Sequence, residues 1–299
     1  MLDKVVVFGG AGFIGRHLCR ALEAEDVRVT GADLQNLDGI TGMDVFEASS
    51  VRRLIGEIRP SAIINLVGTF ADPIPSNMFR ANVLPSLTIM EAIADLRIDC
   101  TLVIIGSAAE YGFVDPALGP VTENMTPSPV SQYGISKYAQ TLSCLSFAKS
   151  KGLDLRIARP FNIIGRDMSP HLVPKTFLVE LLDKKSETLH TGNLNAIRDY
   201  LCVDDVTSAL HIILSKGQPG EIYNVCSATG VPVRQILATI RQDPRIPEFV
   251  LHEETAYHRR EDAAYSVGDN SKLLGLGWIP KSKIEDCVRD LIDGFMGGD

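Results

Sequence analysis

Short runs rich in β-branched residues recur along the first half of the chain, and each leads into a stretch with helical periodicity. Residues 5–8, 27–32, 62–67, 101–105 and 154–159 read as strands. They lack a clean in–out alternation, which is the pattern of parallel strands buried on both faces. Helices are predicted through Leu18 and Leu22, over about 49–58, 77–96 and 131–150. Pro85 falls inside the third and is expected to kink it or to mark its true first turn. Residues 69–77 and 113–130 carry several prolines without periodicity and read as loops, the second long enough to be functional. After Asn162 the alternation loosens. A helix is expected over 172–182, then a short strand near 197–202 running into a helix capped by Asp204 or Asp205. A strand over 221–225, a helix over 231–241, a turn at 277–280 and a final helix near 282–296 complete the reading, with 243–270 irregular. This order predicts an α/β fold with a doubly wound parallel sheet.

The first strand ends in Gly9-Gly10-Ala11-Gly12-Phe13-Ile14-Gly15. Glycines at 9, 12 and 15 between a strand and a helix have a physical logic: a tight turn, close backbone approach to a pyrophosphate, and close packing of helix on strand. The helix N-terminus then offers N–H groups to the anion. The second strand ends in Asp33, an acid placed to bond the adenosine ribose hydroxyls of NAD. Leu34, Gln35 and Asn36 follow it, so a 2′-phosphate finds no cation there. NAD(H) is favoured, with NADP(H) as the alternative. Asp33 as a turn cap is the plainer reading.

Tyr133 and Lys137 lie four apart on a predicted helix and share a face. An ammonium near a phenol favours phenolate, which would lower the tyrosine pKa and make an acid/base for a carbinol/carbonyl pair. Ser107 follows the strand at 101–105, at the edge where parallel sheets bind ligands; a serine there is also a common turn cap.

Composition narrows this further. The 299 residues are 45% hydrophobic and 22% charged, an ordinary water-soluble globule. The net charge of −8 argues against a nucleic-acid surface. Cysteines 19, 100, 144, 202, 226 and 287 are scattered without a C-x-x-C or a histidine cluster. They read as reduced, buried small hydrophobes, with no metal site. No apolar run reaches the ~18 residues of a membrane span, and the immediate strand at 5–8 leaves no room for a signal peptide. No membrane association and a cytoplasmic location are expected.

Several ordered motifs together resemble the extended short-chain dehydrogenase/reductase superfamily, in particular its enzymes acting on nucleotide-diphosphate sugars. They are the glycines at 9–15, Asp33, Asp44-Val45, Asn82-Val83, Ser107 with Tyr111-Gly112, Tyr133/Lys137, Arg159-Pro160-Phe161-Asn162 and Arg198-Asp199 before Val203-Asp204-Asp205-Val206. The C-terminal half looks most like the GDP-4-keto-6-deoxy-D-mannose reductases, through residues 159–165, Thr191-Gly192-Asn193-Leu194, Tyr223-Asn224-Val225-Cys226-Ser227 and Gly268-Asp269. The resemblance implies a Rossmann domain (1–163 plus about 194–224) and a smaller, interleaved C-terminal α/β substrate domain (about 164–193 and 225–299). It implies catalysis by Ser107, Tyr133 and Lys137, and cofactor contacts from Gly9, Gly12, Phe13, Ile14, Gly15, Asp33, Asp44, Val45, Leu66, Val67, Gly68, Asn82, Tyr133, Lys137 and Pro160. Ser107, Ala108, Asn162, Arg198 and Arg259 would hold a nucleotide-diphosphate sugar; for Arg198 the alternative is a surface salt bridge with Asp199. Reduction of a 4-keto group is the implied activity, 4-epimerisation with retained NAD the alternative, and a non-catalytic NAD-binding scaffold the third reading. A homodimer is expected through the helices near 82–97 and at Tyr133, with Leu142, Leu145 and Phe147 as candidate contacts. Dehydratases of this kind carry an acid two positions after the Ser/Thr, where this chain has Ala109. Glu110 stands one residue later, as a sugar-hydroxyl contact or a surface residue. The small pair after the fourth strand is Val67-Gly68, and Arg166-Asp167 replaces the usual Gly/Pro-rich continuation.

Overall fold

In a computed structural model of the chain, which describes residues 2–254 and 264–297, the apolar runs become one parallel sheet. In chain order the elements are β1 (Lys4–Phe8), α1 (Phe13–Glu23), β2 (Arg28–Asp33), β3 (Ile40–Gly42), α2 (Ala48–Ile58), β4 (Ala62–Asn65), α3 (Pro75–Leu96), β5 (Thr101–Ile105), α4 (Gln132–Lys151), β6 (Asp154–Pro160), β7 (Asn162–Ile164), α5 (Val173–Leu178), β8 (Thr188–Thr191) and β9 (Ile197–Cys202). They continue as α6 (Val203–Lys216), β10 (Ile222–Val225), β11 (Gly230–Pro232), α7 (Val233–Arg241), β12 (Val250–Glu253), β13 (Tyr265–Ser266), α8 (Ser271–Gly275) and α9 (Ile284–Met296). The main sheet has seven strands in the order β10-β6-β5-β4-β1-β2-β3, every pair parallel. The order reverses between β1 and β4, where a doubly wound sheet opens a crevice at its C-terminal edge.

The two-residue period of β1 divides the core. Val5 and Val7 face Leu18, Leu22, Leu210 and Ile213 of α1 and α6. Val6 and Phe8 face Val51, Ile55, Ile89, Met90 and Ala148 of α2, α3 and α4. Side chains as fully buried as these contribute roughly 1.5–3 kcal/mol each. A third apolar cluster joins Ile164, Phe177, Leu181, Ile236, Val288 and Leu291 around the small sheet β11-β9-β13, to which β7 adds by pairing with β9.

Several expectations change. The third helix starts at Pro75, in its first turn, and runs on through Pro85, so Pro85 is not its start. The ring costs only its own intrahelical N–H bond there. Residues 172–182 form α5 and then a π-helical turn, Val179–Asp183. The helix expected over 231–241 is preceded by β11, and the region read as irregular holds β12 and β13. Neither Asp204 nor Asp205 caps α6, whose N-cap is Cys202. Instead Asp205 accepts the N–H groups of Lys281 and Ser282, both at 2.9 Å, and Asp204 accepts from His17 at 3.2 Å. The cysteines are not all reduced: Cys202 and Cys287 form a disulfide between the end of β9 and α9. Their Cα atoms are 5.3 Å apart, a bridging distance, and a sequence separation of 85 hid the pair. Cys19, Cys100, Cys144 and Cys226 are free and buried, as expected.

Candidate active site

The crevice is lined first by the glycine turn. Gly9 has φ +82°, and Gly9 and Gly10 both donate to Ala32 O, which bends the chain out of β1. A Cβ on Gly15 would lie 2.1 Å from Gly9 O, and one on Gly9 would press on the Leu66–Val67 peptide at 3.1 Å. Gly12 is exposed and serves as the N-cap of α1 without a side-chain hydrogen bond, so the helix's first N–H groups, at Phe13 and Ile14, face the crevice mouth. Asp33 ends β2 beside the turn. Its Oδ2 accepts from Ala11 N at 3.2 Å and its Oδ1 from Gln35 N at 3.3 Å, so it does cap a turn. Next to it Met43 N donates to Asp33 O, Asp44 caps its own turn through Phe46 N, and Val45 is buried in the core. A bare helix end, a turn with no room for a side chain at Gly15 and an acid at the adjacent strand end suit a dinucleotide.

The opposite wall starts at the end of β4. Leu66 and Val67 are half-buried and Gly68 is exposed. A Cβ on Gly68 would lie 2.6 Å from Asn82 Oδ1. Asn82 is fully buried. It accepts from Thr69 N at 2.7 Å and donates to Thr69 O at 2.9 Å and to Ser136 Oγ at 2.8 Å. These bonds make it the pin that joins the loop after β4 to α4. Pro160 is buried at the end of β6, paired with Val225.

Ser107, Tyr133 and Lys137 come together at the ends of β5 and α4. Ser131 caps α4 by accepting from Gly134 N at 3.0 Å, which sets Tyr133 in the first turn. A Cβ on Gly134 would be 2.4 Å from Ala109 O, so the helix start sits directly on the turn that carries Ser107. The Ser107 hydroxyl accepts from Ala109 N at 3.1 Å and lies close enough to the Tyr133 phenol to pull its pKa down. Ser107 is thus both the turn cap and the tyrosine's neighbour. Phe70 packs edge-on to the Tyr133 ring, centroids 6.4 Å apart. Lys137 is 2% exposed and donates to Ile105 O at 2.6 Å.

The expected fall of the tyrosine pKa is corrected by this geometry. Burial pushes the Tyr133 phenol above its ordinary range, the Ser107 hydroxyl pulls it down, and the Glu110 carboxylate adds to the rise. For Lys137, burial lowers the pKa from 10.5 to about 8, opposed by Glu110 and Cys144. The ammonium donates to the β5 carbonyl, and burial is the largest influence on the phenol.

Glu110 matches neither expectation for it. It is fully buried and forms an ion pair with Arg159, itself 1% exposed, at 2.7 Å. Its Oε1 accepts from Ser107 N at 2.9 Å; its Oε2 accepts from Arg159 Nε and Thr141 Oγ1, each at 2.9 Å. Arg159 also donates to Tyr111 Oη at 3.1 Å, and that hydroxyl donates to Asn224 Oδ1 at 2.7 Å. The available signal was Arg159 itself: an arginine at the buried end of a central strand needs a buried counter-charge.

Of the residues expected to meet a substrate, Ala108 opens the turn after Ser107 and is half-buried, while Asn162 and Arg198 lie on the paired strands β7 and β9. Asn162 donates to Asp199 O at 3.1 Å. Asp199 does not pair with Arg198 at the surface. It is fully buried and accepts from Ser227 N and Oγ, Ala228 N and Gly268 N, and its burial raises its pKa to about 6 against those bonds. Arg259 lies outside the described residues. Among the described residues no group of His, Cys, Asp and Glu is arranged to hold a metal ion.

The chain is similar over its length to known proteins. It is 28% identical to GDP-6-deoxy-D-mannose reductase of Pseudomonas aeruginosa, covering 99% of this chain and 98% of that one. Its fold superposes on the UDP-glucose 4-epimerase of Thermus thermophilus in complex with NAD with a TM-score of 0.88, at 27% identity, covering 99% of this chain and 100% of that one. The RMD protein of Pseudomonas aeruginosa complexed with NADPH superposes with a TM-score of 0.84 at 26% identity, over 98% and 99% of the two chains. The model of the NAD dependent epimerase/dehydratase family matches residues 5–226. That span takes in the glycine turn, Asp33, Ser107, Tyr133 and Lys137, and the chain belongs to this family.

Proposed function

We propose that the chain is an NAD(P)H-dependent reductase of the C4 keto group of a nucleotide-diphosphate 4-keto-6-deoxyhexose. The observation that carries this reading is that the start of α4, with Tyr133 and Lys137, sits directly on the turn that carries Ser107 at the crevice edge, beside a glycine turn fit for a dinucleotide. The full-length likeness to GDP-6-deoxy-D-mannose reductase supports the substrate class. NAD(H) is the favoured cofactor because Asp33 stands at the ribose end with Leu34, 70% exposed, after it; NADP(H) is the alternative, since the RMD relative is complexed with NADPH.

A nicotinamide held in the crevice would supply the hydride. Tyr133 gives its phenolic proton to the oxygen at C4 as negative charge develops there, and the Ser107 hydroxyl donates a second hydrogen bond to that oxygen. Lys137 is protonated below about pH 8, and its positive charge would meet the ribose of a bound nicotinamide. Arg198 and Arg259 serve the diphosphate, where planar guanidinium donors suit bidentate contacts, with Ala108 and Asn162 beside the sugar. Residues 1–163 with about 194–224 form the cofactor domain, and about 164–193 with 225–299 the substrate domain. The chain works as a cytoplasmic homodimer through α3 and α4, where Phe79, Leu84 and Leu142 are exposed while Leu145 and Phe147 pack inward. Among the described residues no helix is long and apolar enough to cross a membrane.

The test is to supply 4-keto-6-deoxy sugar nucleotides and follow NADH or NADPH absorbance. Net oxidation of the reduced cofactor supports the reductase. Tightly held NAD with sugar turnover but no net cofactor change would establish the second reading, a 4-epimerase, which the likeness to the Thermus thermophilus enzyme favours. A biological role untouched by Tyr133→Phe would instead identify a scaffold.

A further inference from the structure

The carboxylate of Glu110 is buried between the Ser107 backbone and α4, the helix that carries Tyr133 and Lys137. It accepts the Ser107 N–H at 2.9 Å. It accepts the Thr141 hydroxyl at 2.9 Å, one helical turn beyond Lys137 on α4. Its second oxygen is fixed by Arg159 from β6. One side chain therefore fastens the serine's backbone to the helix that carries tyrosine and lysine. A Cβ on Gly106 would lie 2.6 Å from Glu110 Oε1, so the strand end is bare where the carboxylate passes.

Resting on the reductase reading above, we propose that Glu110 is a positioning residue that holds Ser107 in register with Tyr133 and sets a negative charge between Ser107 and the helix that carries Tyr133 and Lys137. The charged and titratable neighbours agree in sign. Glu110 raises the pKa of both Tyr133 and Lys137, and Cys144 on α4 adds to the rise for Lys137. Arg159 is the counter-charge, but its pull falls on Tyr111, which also feels Glu110 and Glu123. The pair is thus a dipole with its negative end toward the catalytic groups and its positive end toward Tyr111 and Asn224.

The test is the pH dependence of kcat/KM with the best 4-keto sugar nucleotide. Reduction needs Tyr133 and Lys137 protonated, so activity falls on the basic side. Removing the carboxylate's charge lowers both pKa values, and the basic limb of Glu110→Gln moves down by about one pH unit or more. Glu110→Asp keeps the charge but falls short of Ser107, so its limb stays in place while kcat drops about tenfold to a hundredfold. If Glu110→Gln does not fold, because it strands the Arg159 guanidinium, the double variant E110Q/R159Q replaces the ion pair with two amides and carries the same expectation. An unmoved limb in the folded charge-removing variant, or full kcat in Glu110→Asp, overturns the proposal. A tyrosinate difference titration near 295 nm, each background against its own Tyr133→Phe variant, reads the same shift without any sugar. A downward shift there with no sugar reduced would keep Glu110's role and discard the reductase reading.

Discussion

Replacing Lys137 by methionine should make the protein more stable at neutral pH while abolishing catalysis. Lys137 is 2% exposed, and its pKa falls from 10.5 to about 8, with burial as the largest cause. That gap corresponds to roughly 3 kcal/mol by which the folded state disfavours the ammonium. The sign follows from proton counts. Between pH 8 and 10.5 the unfolded chain holds the proton and the folded chain has released it, so wild-type stability rises with pH across that window. Below pH 8 the whole cost is present. Methionine keeps an unbranched chain of similar volume and removes the charge, but it leaves Ile105 O without its 2.6 Å donor, a loss of about 1–2 kcal/mol. The balance is a Lys137→Met variant about 1–2 kcal/mol more stable than wild type at pH 7. By pH 10.5 the advantage is gone or reversed. Urea unfolding of both proteins at pH 7 and pH 10 measures it, since every other titrating group is common to the two. A variant less stable than wild type by the same amount at both pH values would refute the reasoning.

Three further outcomes are expected. Gly15→Ala puts a methyl 2.1 Å from Gly9 O and 2.9 Å from Gly10 C, both backbone, so it should cost about 3 kcal/mol and abolish NADH binding, seen as a lost ligand-induced rise in melting temperature. Asp33→Ala removes the acceptor at the end of β2 and should weaken NADH about tenfold to a hundredfold in a calorimetric titration while affecting NADPH less. Reducing the Cys202–Cys287 disulfide, which closes a separation of 85 residues, should lower unfolding free energy by about 2–4 kcal/mol, and Cys202→Ser should be insensitive to reductant.

The sheet was legible because its strands are buried on both faces. Residues 5–8, 62–65 and 101–105 carry almost nothing but apolar side chains, and no helix pattern competes with them. Strands of the second lobe were not. Val250, Leu251, His252 and Glu253 in β12 are all exposed and pair only with β8, so neither a continuous apolar run nor an alternation marks them. Asp205 reads as a cap from its place before a helix, yet its partners at 281 and 282 come from beyond four further strands and two further helices. Distance in sequence defeated the same reasoning at Cys202 and Cys287. The proposed catalytic set was legible because Tyr133 and Lys137 are local to one helix. The network behind Ser107 was not, because Glu110 and Arg159 lie 49 residues apart and only the sheet brings them together.

That network also bears on which chemistry the site can perform. Expelling a hydroxyl from C6 needs an acid near the sugar, and Ala109 supplies none. Glu110 is the nearest carboxylate along the chain, and it is turned away. Its Oε1 is held by Ser107 N, its Oε2 by Arg159 and Thr141, and none of it is exposed. Rotating it outward would break three hydrogen bonds and leave the Arg159 guanidinium buried without a counter-charge, a loss of about 3–5 kcal/mol from the ion pair alone. A carboxylate bound that firmly is an electrostatic fixture. Introducing an acid at that position, Ala109→Glu, should leave the Ser107 turn intact, because the bond from the 109 N–H to Ser107 Oγ and the 109 carbonyl against Gly134 are backbone contacts, and should not create dehydration. Incubation of that variant with dTDP-glucose and GDP-mannose, read by the strong alkaline absorbance of 4-keto-6-deoxy products near 320 nm, decides it. Accumulation of such a product would mean that a missing acid, and not the arrangement around Glu110, is what limits this site to hydride and proton transfer.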